Sequence, residues 1–122
     1  MTNVVFFKSN GVFWGFEEQG HTGWGENGND ILCSAISAMT MLVINSIEVA
    51  YASEVDYDID EETTNIRVAA RGALPSYEND EKKRFAISGL IMGYYYQLND
   101  LVEEYYDYLE VSVVEKEYEG NK

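Results

Sequence analysis

The sequence predicts an α+β fold: a mainly antiparallel sheet with two helices packed on it, in the order ββαββαβ. Three observations carry that expectation. Short apolar or alternating runs come in pairs joined by turn residues, two long stretches repeat their apolar residues at helical spacing, and a last apolar run follows the second of these. Strand pairs joined by short turns form antiparallel hairpins, and a sheet with one apolar face needs helices to cover it. No internal repeat or composition break divides the 122 residues, so one domain over 1–122 is expected.

Val4 to Phe7 and Val12 to Phe16 read as the first two strands. Between them lies Lys8-Ser9-Asn10-Gly11, and Asn-Gly marks a hairpin because both residues tolerate positive φ. Gly20-His21-Thr22-Gly23-Trp24-Gly25-Glu26-Asn27-Gly28-Asn29 follows. Its glycines, Gly20, Gly23, Gly25 and Gly28, lack the Cβ that confines a backbone, which argues for a mobile loop with hinges at those positions. Asp30 then reads as a helix N-cap, and Ile31 to about Ile47 as a helix. Apolar on most sides and rich in small residues, it is expected to be buried at the centre of the fold.

Val55, Tyr57 and Ile59 alternate with Asp56, Asp58 and Asp60, the period of a half-exposed strand, and Ile66 to Arg71 is its partner across a turn at 61–65. Pro75 sits in a linker. Ile87, Leu90, Ile91, Tyr94, Tyr95, Leu98, Leu101, Val102 and Tyr105 recur at helical spacing and predict a long amphipathic helix. Leu109 to about Val114 closes the chain as a last strand.

Composition narrows the function. Hydrophobic residues make up 46%, enough for a core and too many for a disordered chain. The apolar stretch from Ile31 to Ile47 is interrupted by Ser34, Ser37, Thr40, Asn45 and Ser46, and reads as too short and too polar to cross a bilayer. No secretory signal is expected, since no basic segment followed by an apolar run opens the chain. One cysteine makes no internal disulfide, in keeping with a reducing cytoplasm. Eight basic against 22 acidic residues leave a formal charge of −14. Nucleic acid needs Lys and Arg clusters for its phosphates, and only Lys82-Lys83-Arg84 qualifies, a triplet better read as a solvated helix face. The field repels nucleic acid and anionic membranes and attracts basic partners.

A thiol nucleophile must ionise near neutral pH, be reachable, and lie near a base that takes and returns a proton. With Asp30 as N-cap, Cys33 falls at the third helical position, where unpaired N–H groups and the positive helix end favour a thiolate and can hold an oxyanion. His21, the chain's one histidine, lies upstream in the glycine loop, within reach of the helix start. By spacing alone, Cys33 reads equally as an inert packed side chain and His21 as a solvated loop residue.

Gly20 to Ala38 as a whole, however, resembles the signature of the ribosomal-processing cysteine proteases, the Prp family: a Gly-His pair, a glycine and an aromatic, Gly-x-Asp, two aliphatics, Cys, small residues and Ser. The resemblance implies His21 as base and Cys33 as nucleophile. It implies an acidic residue at Asp30, which as a cap would be structural and as a neighbour of His21 would orient it. It also implies a serine at Ser37, one turn after the cysteine, which packing alone also explains. Trp24 as the aromatic, Gly25 after it and Asn29 before the acid are variations that bear on loop stiffness and substrate contacts. Family members are small α+β homodimers that remove an N-terminal extension from a large-subunit ribosomal protein, the twenty-seventh in the usual naming. The resemblance therefore implies a cysteine endopeptidase with a basic ribosomal protein as partner. The alternative is a non-catalytic acidic dimeric module that binds the same protein.

Other chemistry is not indicated, and no cofactor is expected. Asp56-Tyr57-Asp58-Ile59-Asp60 begins like a calcium loop, but the sixth position is Glu61 instead of Gly and the twelfth is Arg67 instead of Glu. One His and one Cys make no zinc site, and 20–28 lacks the Lys and Ser/Thr of a phosphate loop. Tyr94-Tyr95-Tyr96 reads as core and dimer surface, not a base-stacking platform.

Overall fold

The computed structural model describes residues 1–20, 27–60, 62–63 and 65–119, with backbone alone for 27–30. Along the chain come β1 (Thr2–Ser9), β2 (Val12–Gln19), α1 (Asn27–Asn45), β3 (Asp56–Ile59), β4 (Ile66–Ala69), α2 (Glu81–Tyr105) and β5 (Leu109–Glu115). A π turn, Ser46–Ala50, prolongs α1, and a 3₁₀ turn, Arg71–Ala73, follows β4. The expected element order is therefore present. The strands form one sheet in the spatial order β3-β4-β2-β1-β5, antiparallel throughout except between β1 and β5. The exception follows from connectivity. Strand β4 already runs parallel to β1, and a helical crossover such as α2 returns the chain in the same direction.

The β1–β2 hairpin turns on Asn10 and Gly11. Ser9 pairs with Val12, leaving a two-residue loop whose φ values are 51° and 79°. Two consecutive positive values match the right-handed twist of the strands, and Asn-Gly meets them at least steric cost. Further along, Phe7 pairs with Gly15 but Lys8 with Phe13, so Trp14 is the extra residue of a bulge. The bulge shifts the alternation by one residue, so Trp14 shares a face with Gly15 and Phe13 turns toward the helices. Phe13 meets Tyr95 of α2 at 5.4 Å between ring centroids, while Trp14 stacks on Phe7 at 5.2 Å. Trp14 also donates its indole N–H to the Lys116 carbonyl at 2.8 Å, drawing the chain after β5 across the uncovered face.

Both helices lie on the other face. Val4, Phe6 and Phe16 from the sheet, Leu32, Ile36, Ile44 and Ile47 from α1 and its π turn, and Ile87, Ile91 and Leu98 from α2 are buried together in one core. Each such side chain withdrawn from water contributes roughly 1.5–3 kcal/mol before the entropy of ordering is counted. Helix α2 begins at an N-cap, Asp80, whose carboxylate accepts from the N–H groups of Lys82 at 3.0 Å and Lys83 at 3.4 Å.

Helix α1 departs from expectation in three ways. It starts at Asn27, so Gly28, Asn29 and Asp30 are helical, and Asp30 is not the N-cap. Residues that suit a cap also suit the first turn, where an acidic group meets the positive helix end. Cys33 is accordingly six positions beyond the first helical residue, outside the first turn whose N–H groups lack partners. Nor is the helix buried all round. Ile31, Met41, Leu42 and Val49 are exposed, and Ile31, Leu42 and Val49 lie on one stripe. Finally, because the π turn continues α1, Ile31–Ala50 makes 20 residues of helical chain with mean hydropathy 1.6, long and apolar enough to cross a membrane. Its inner side packs into the core on the sheet and α2.

The acidic run around β3 has structural employment. Asp60 accepts from the N–H groups of Glu62 at 3.0 Å and Thr63 at 3.3 Å, an Asx turn at the β3–β4 hairpin. Asp56 pairs with Arg71 at 3.2 Å and accepts from the Tyr118 hydroxyl at 2.9 Å. Burial and that hydrogen bond raise the Tyr118 pKa. Among the described residues, no three His, Cys, Asp or Glu side chains group as metal ligands.

Candidate active site

Cys33 sits on α1 beside the core-facing stripe, between fully buried Leu32 and Ile36, and is itself half-buried. That placement separates it from an inert core thiol, because one side of the residue remains reachable. Ser37, four residues on, is exposed on the neighbouring turn. The core-facing stripe therefore does not need Ser37, which turns toward solvent on the helix that carries Cys33. Within the helix the N–H of Cys33 is committed to the carbonyl four residues back, so Cys33's own amide is not an oxyanion donor.

Gly20 ends β2 with φ at +79°. A Cβ there would lie 2.4 Å from the Met1 carbonyl oxygen, so glycine is required on two counts. Its N–H is 3.4 Å from the Asn65 side-chain oxygen. His21, Gly23 and Gly25 lie outside the described residues, as does the side chain of Asp30, and Gly28 is the second residue of α1.

The sequence reading passed over Glu18, whose side chain is fully buried. Two residues before Gly20, it faces the helices because Phe16 does and strand side chains alternate. The Thr40 hydroxyl of α1 lies 2.6 Å from one carboxylate oxygen and 3.0 Å from the other. The Tyr94 hydroxyl of α2 lies 2.9 Å from the Thr40 oxygen, 3.3 Å from Glu18 and 3.4 Å from the Ile36 carbonyl. Burial, followed by the charge of Glu18, raises the Tyr94 pKa, so this phenol stays protonated and able to donate. A signal was present: the alternation that buries Phe16 places Glu18 on the same face, where a carboxylate must find donors.

A cavity of about 530 Å³ opens on the opposite face of the sheet, lined by Phe7, Trp14, Asp58, Arg67, Lys116 and Tyr118 among others. It lies across the sheet from α1 and Cys33. Size alone does not locate the chemistry here.

A helix bearing one half-buried thiol, laid on a five-stranded sheet and preceded by a glycine-rich segment with the chain's one histidine, defines a small thiol-bearing α+β domain. The family model described as cysteine protease Prp matches residues 1–110. The chain belongs to that family. Solved structures share the fold: SMU.848 from Streptococcus mutans at 23% identity, with a TM-score of 0.77 over 95% of this chain and 99% of that one. The essential ribosomal processing protease Prp from S. aureus, in complex with a substrate peptide, is 17% identical, with a TM-score of 0.76 over 93% of this chain and 100% of that one. The same S. aureus protease with a covalently linked product peptide is 16% identical, with a TM-score of 0.72 over the same shares. No curated protein matches the chain.

Proposed function

We propose that the protein is a cysteine endopeptidase that removes the basic N-terminal extension of a large-subunit ribosomal protein, the twenty-seventh in the usual naming, during ribosome maturation. The family match over residues 1–110 carries this reading, and the half-buried setting of Cys33 supports it. In the mechanism, His21 takes the proton of Cys33. The thiolate attacks the scissile carbonyl, His21 protonates the departing amine, and water then releases the acyl-enzyme. Asp30 orients His21 from the first turn of α1, and Ser37 contributes a hydroxyl one turn beyond the nucleophile. The S. aureus relative with a covalently linked product peptide is in keeping with such chemistry.

The net charge of −14 draws a basic extension to the enzyme before any specific contact forms. The exposed apolar residues along the outer side of α1, Ile31, Leu42 and Val49, support a homodimer, since apolar side chains on a water-exposed helix gain from a cover. The single cysteine accords with a reducing cytoplasm.

Incubation with the ribosomal protein bearing its extension, followed by intact mass, tests the reading. Cleavage by the native chain and none by Cys33→Ala, with both folded, is the expected result. Ala is a good helix former, so the variant loses the sulfur and little else. Undiminished turnover by Cys33→Ala overturns the mechanism, and binding without cleavage by the native chain indicates the non-catalytic module.

A further inference from the structure

We propose that Glu18, Thr40 and Tyr94 are positioning residues, which hold α1 at one height along β2 and so set where Cys33 stands relative to the chain segment that carries His21. The inference rests on the dyad reading above. Its evidence is a buried carboxylate that reaches three elements. Glu18 belongs to β2, Thr40 to α1 and Tyr94 to α2, and the three are buried together. Apolar packing between a helix and a sheet tolerates small sliding motions. A hydroxyl 2.6 Å from a carboxylate does not, because the bond is short, charge-assisted and directional.

The network also sits where such precision matters. Thr40 follows Cys33 by seven residues, about 10 Å along the same side of the helix. The Ile36 carbonyl, which the Tyr94 hydroxyl approaches at 3.4 Å, lies one turn after Cys33. Glu18 precedes His21 by three residues of chain. Each end of the network is thus tied in sequence to one member of the dyad. A carboxylate in the core also calls for a reason. Its inward neighbour across the hairpin is Val4, fully buried, and an apolar side chain at Glu18 would serve stability as well or better. What an apolar side chain lacks is a fixed geometry.

The test is the pH profile of Cys33 alkylation by iodoacetamide. It is measured on the native chain, Thr40→Val, Tyr94→Phe and Glu18→Gln, each with and without His21→Ala, alongside thermal melts. Tyr94→Phe keeps the ring and removes only the hydroxyl, so it carries the test where Glu18→Gln fails to fold. His21→Ala is expected to move the alkylation midpoint. The network variants are expected to move it in the same direction by about half a unit, roughly threefold in rate near the midpoint. They should add nothing in the His21→Ala background, since a merely structural loss would not depend on His21. If His21→Ala shifts the profile and Thr40→Val and Tyr94→Phe do not, the positioning role is overturned while the dyad stands. An equal shift in both backgrounds overturns it as well. A profile indifferent to His21→Ala removes the dyad, and this proposal with it.

Discussion

Two residues, Gly20 and Tyr94, invite direct measurement. Gly20 was expected as a hinge, and its described conformation shows a reason for glycine that precedes any motion: a φ of +79° and a backbone oxygen where a Cβ would go. Gly20→Ala should therefore destabilise the fold by 1 kcal/mol or more, about 4 °C or more in Tm, read by calorimetry. An unchanged melt would show that the β2 end relaxes easily. Where Tm does fall, loss of turnover in that variant would reflect strain after the strand end rather than a lost hinge. Tyr94 offers a pH signature. Its folded pKa is raised above the ordinary tyrosine value of 10.0, so the neutral form is favoured in the fold. Below that ordinary value its contribution is fully present. Above it the unfolded chain loses the proton first, and stability falls by up to about 1.4 kcal/mol per pH unit toward the raised folded value. Urea unfolding of the native chain and Tyr94→Phe at pH 9 and pH 11 should show a steeper alkaline loss in the native chain. Parallel losses in the two would mean the phenol is not held protonated.

Among the elements, the end of α1 is under the most evident strain. The helix widens into the π turn, where the Tyr51 N–H reaches the Ser46 carbonyl at 3.0 Å, and the chain reverses at Ala52 with φ at 49°. The left-handed region costs an alanine about 1–2 kcal/mol and a glycine little. Ala52→Gly should stabilise the protein by about 1 kcal/mol, partly offset by the unfolded-state entropy of glycine. A denaturant midpoint unchanged or lowered by the substitution would mean that the entropy term dominates at this position. The hairpin turn, where Asn10 and Gly11 already meet the same demand, shows how the sequence handles it elsewhere.

For the molecule as a whole, the open question is what covers the outer stripe of α1. Ile31 and Val49 are 65% and 75% exposed, and Leu42 is 59% exposed between them. A homodimer built on this face would be broken by a charge at its centre. If the native chain sediments as the proposed homodimer at micromolar concentration, Leu42→Glu should convert it to a monomer with the fold intact, since the residue makes no part of the core. A Leu42→Glu variant that stays dimeric would move the interface elsewhere, and the uncovered face of the sheet would become the next surface to test.

Period and turn chemistry were readable along the chain. Strands with alternating residues, the Asn10-Gly11 hairpin and the helical repeat from Ile87 to Tyr105 depend on neighbours a few residues apart, and the structure has them within a few residues of the expected ends. Cys33 could be marked by its place in a motif, because residue types at close spacing are a local matter too. The start of α1 could not be read in the same way. Asn27, Gly28, Asn29 and Asp30 suit both a loop ending in a cap and a helical first turn, so local propensity leaves the boundary open. Three further features belong to tertiary structure alone. The parallel pairing of β1 with β5 joins residues about a hundred positions apart. The bulge at Trp14 puts Trp14 on the face of Gly15 and Phe13 on the helix face, a phase shift set by the pairing with β1. Glu18 finds donors from two helices that the sequence places 22 and 76 residues away. Alternation with Phe16 could mark Glu18 as inward-facing but not which partners reach it, since the compensation of a buried carboxylate is a property of the packed chain.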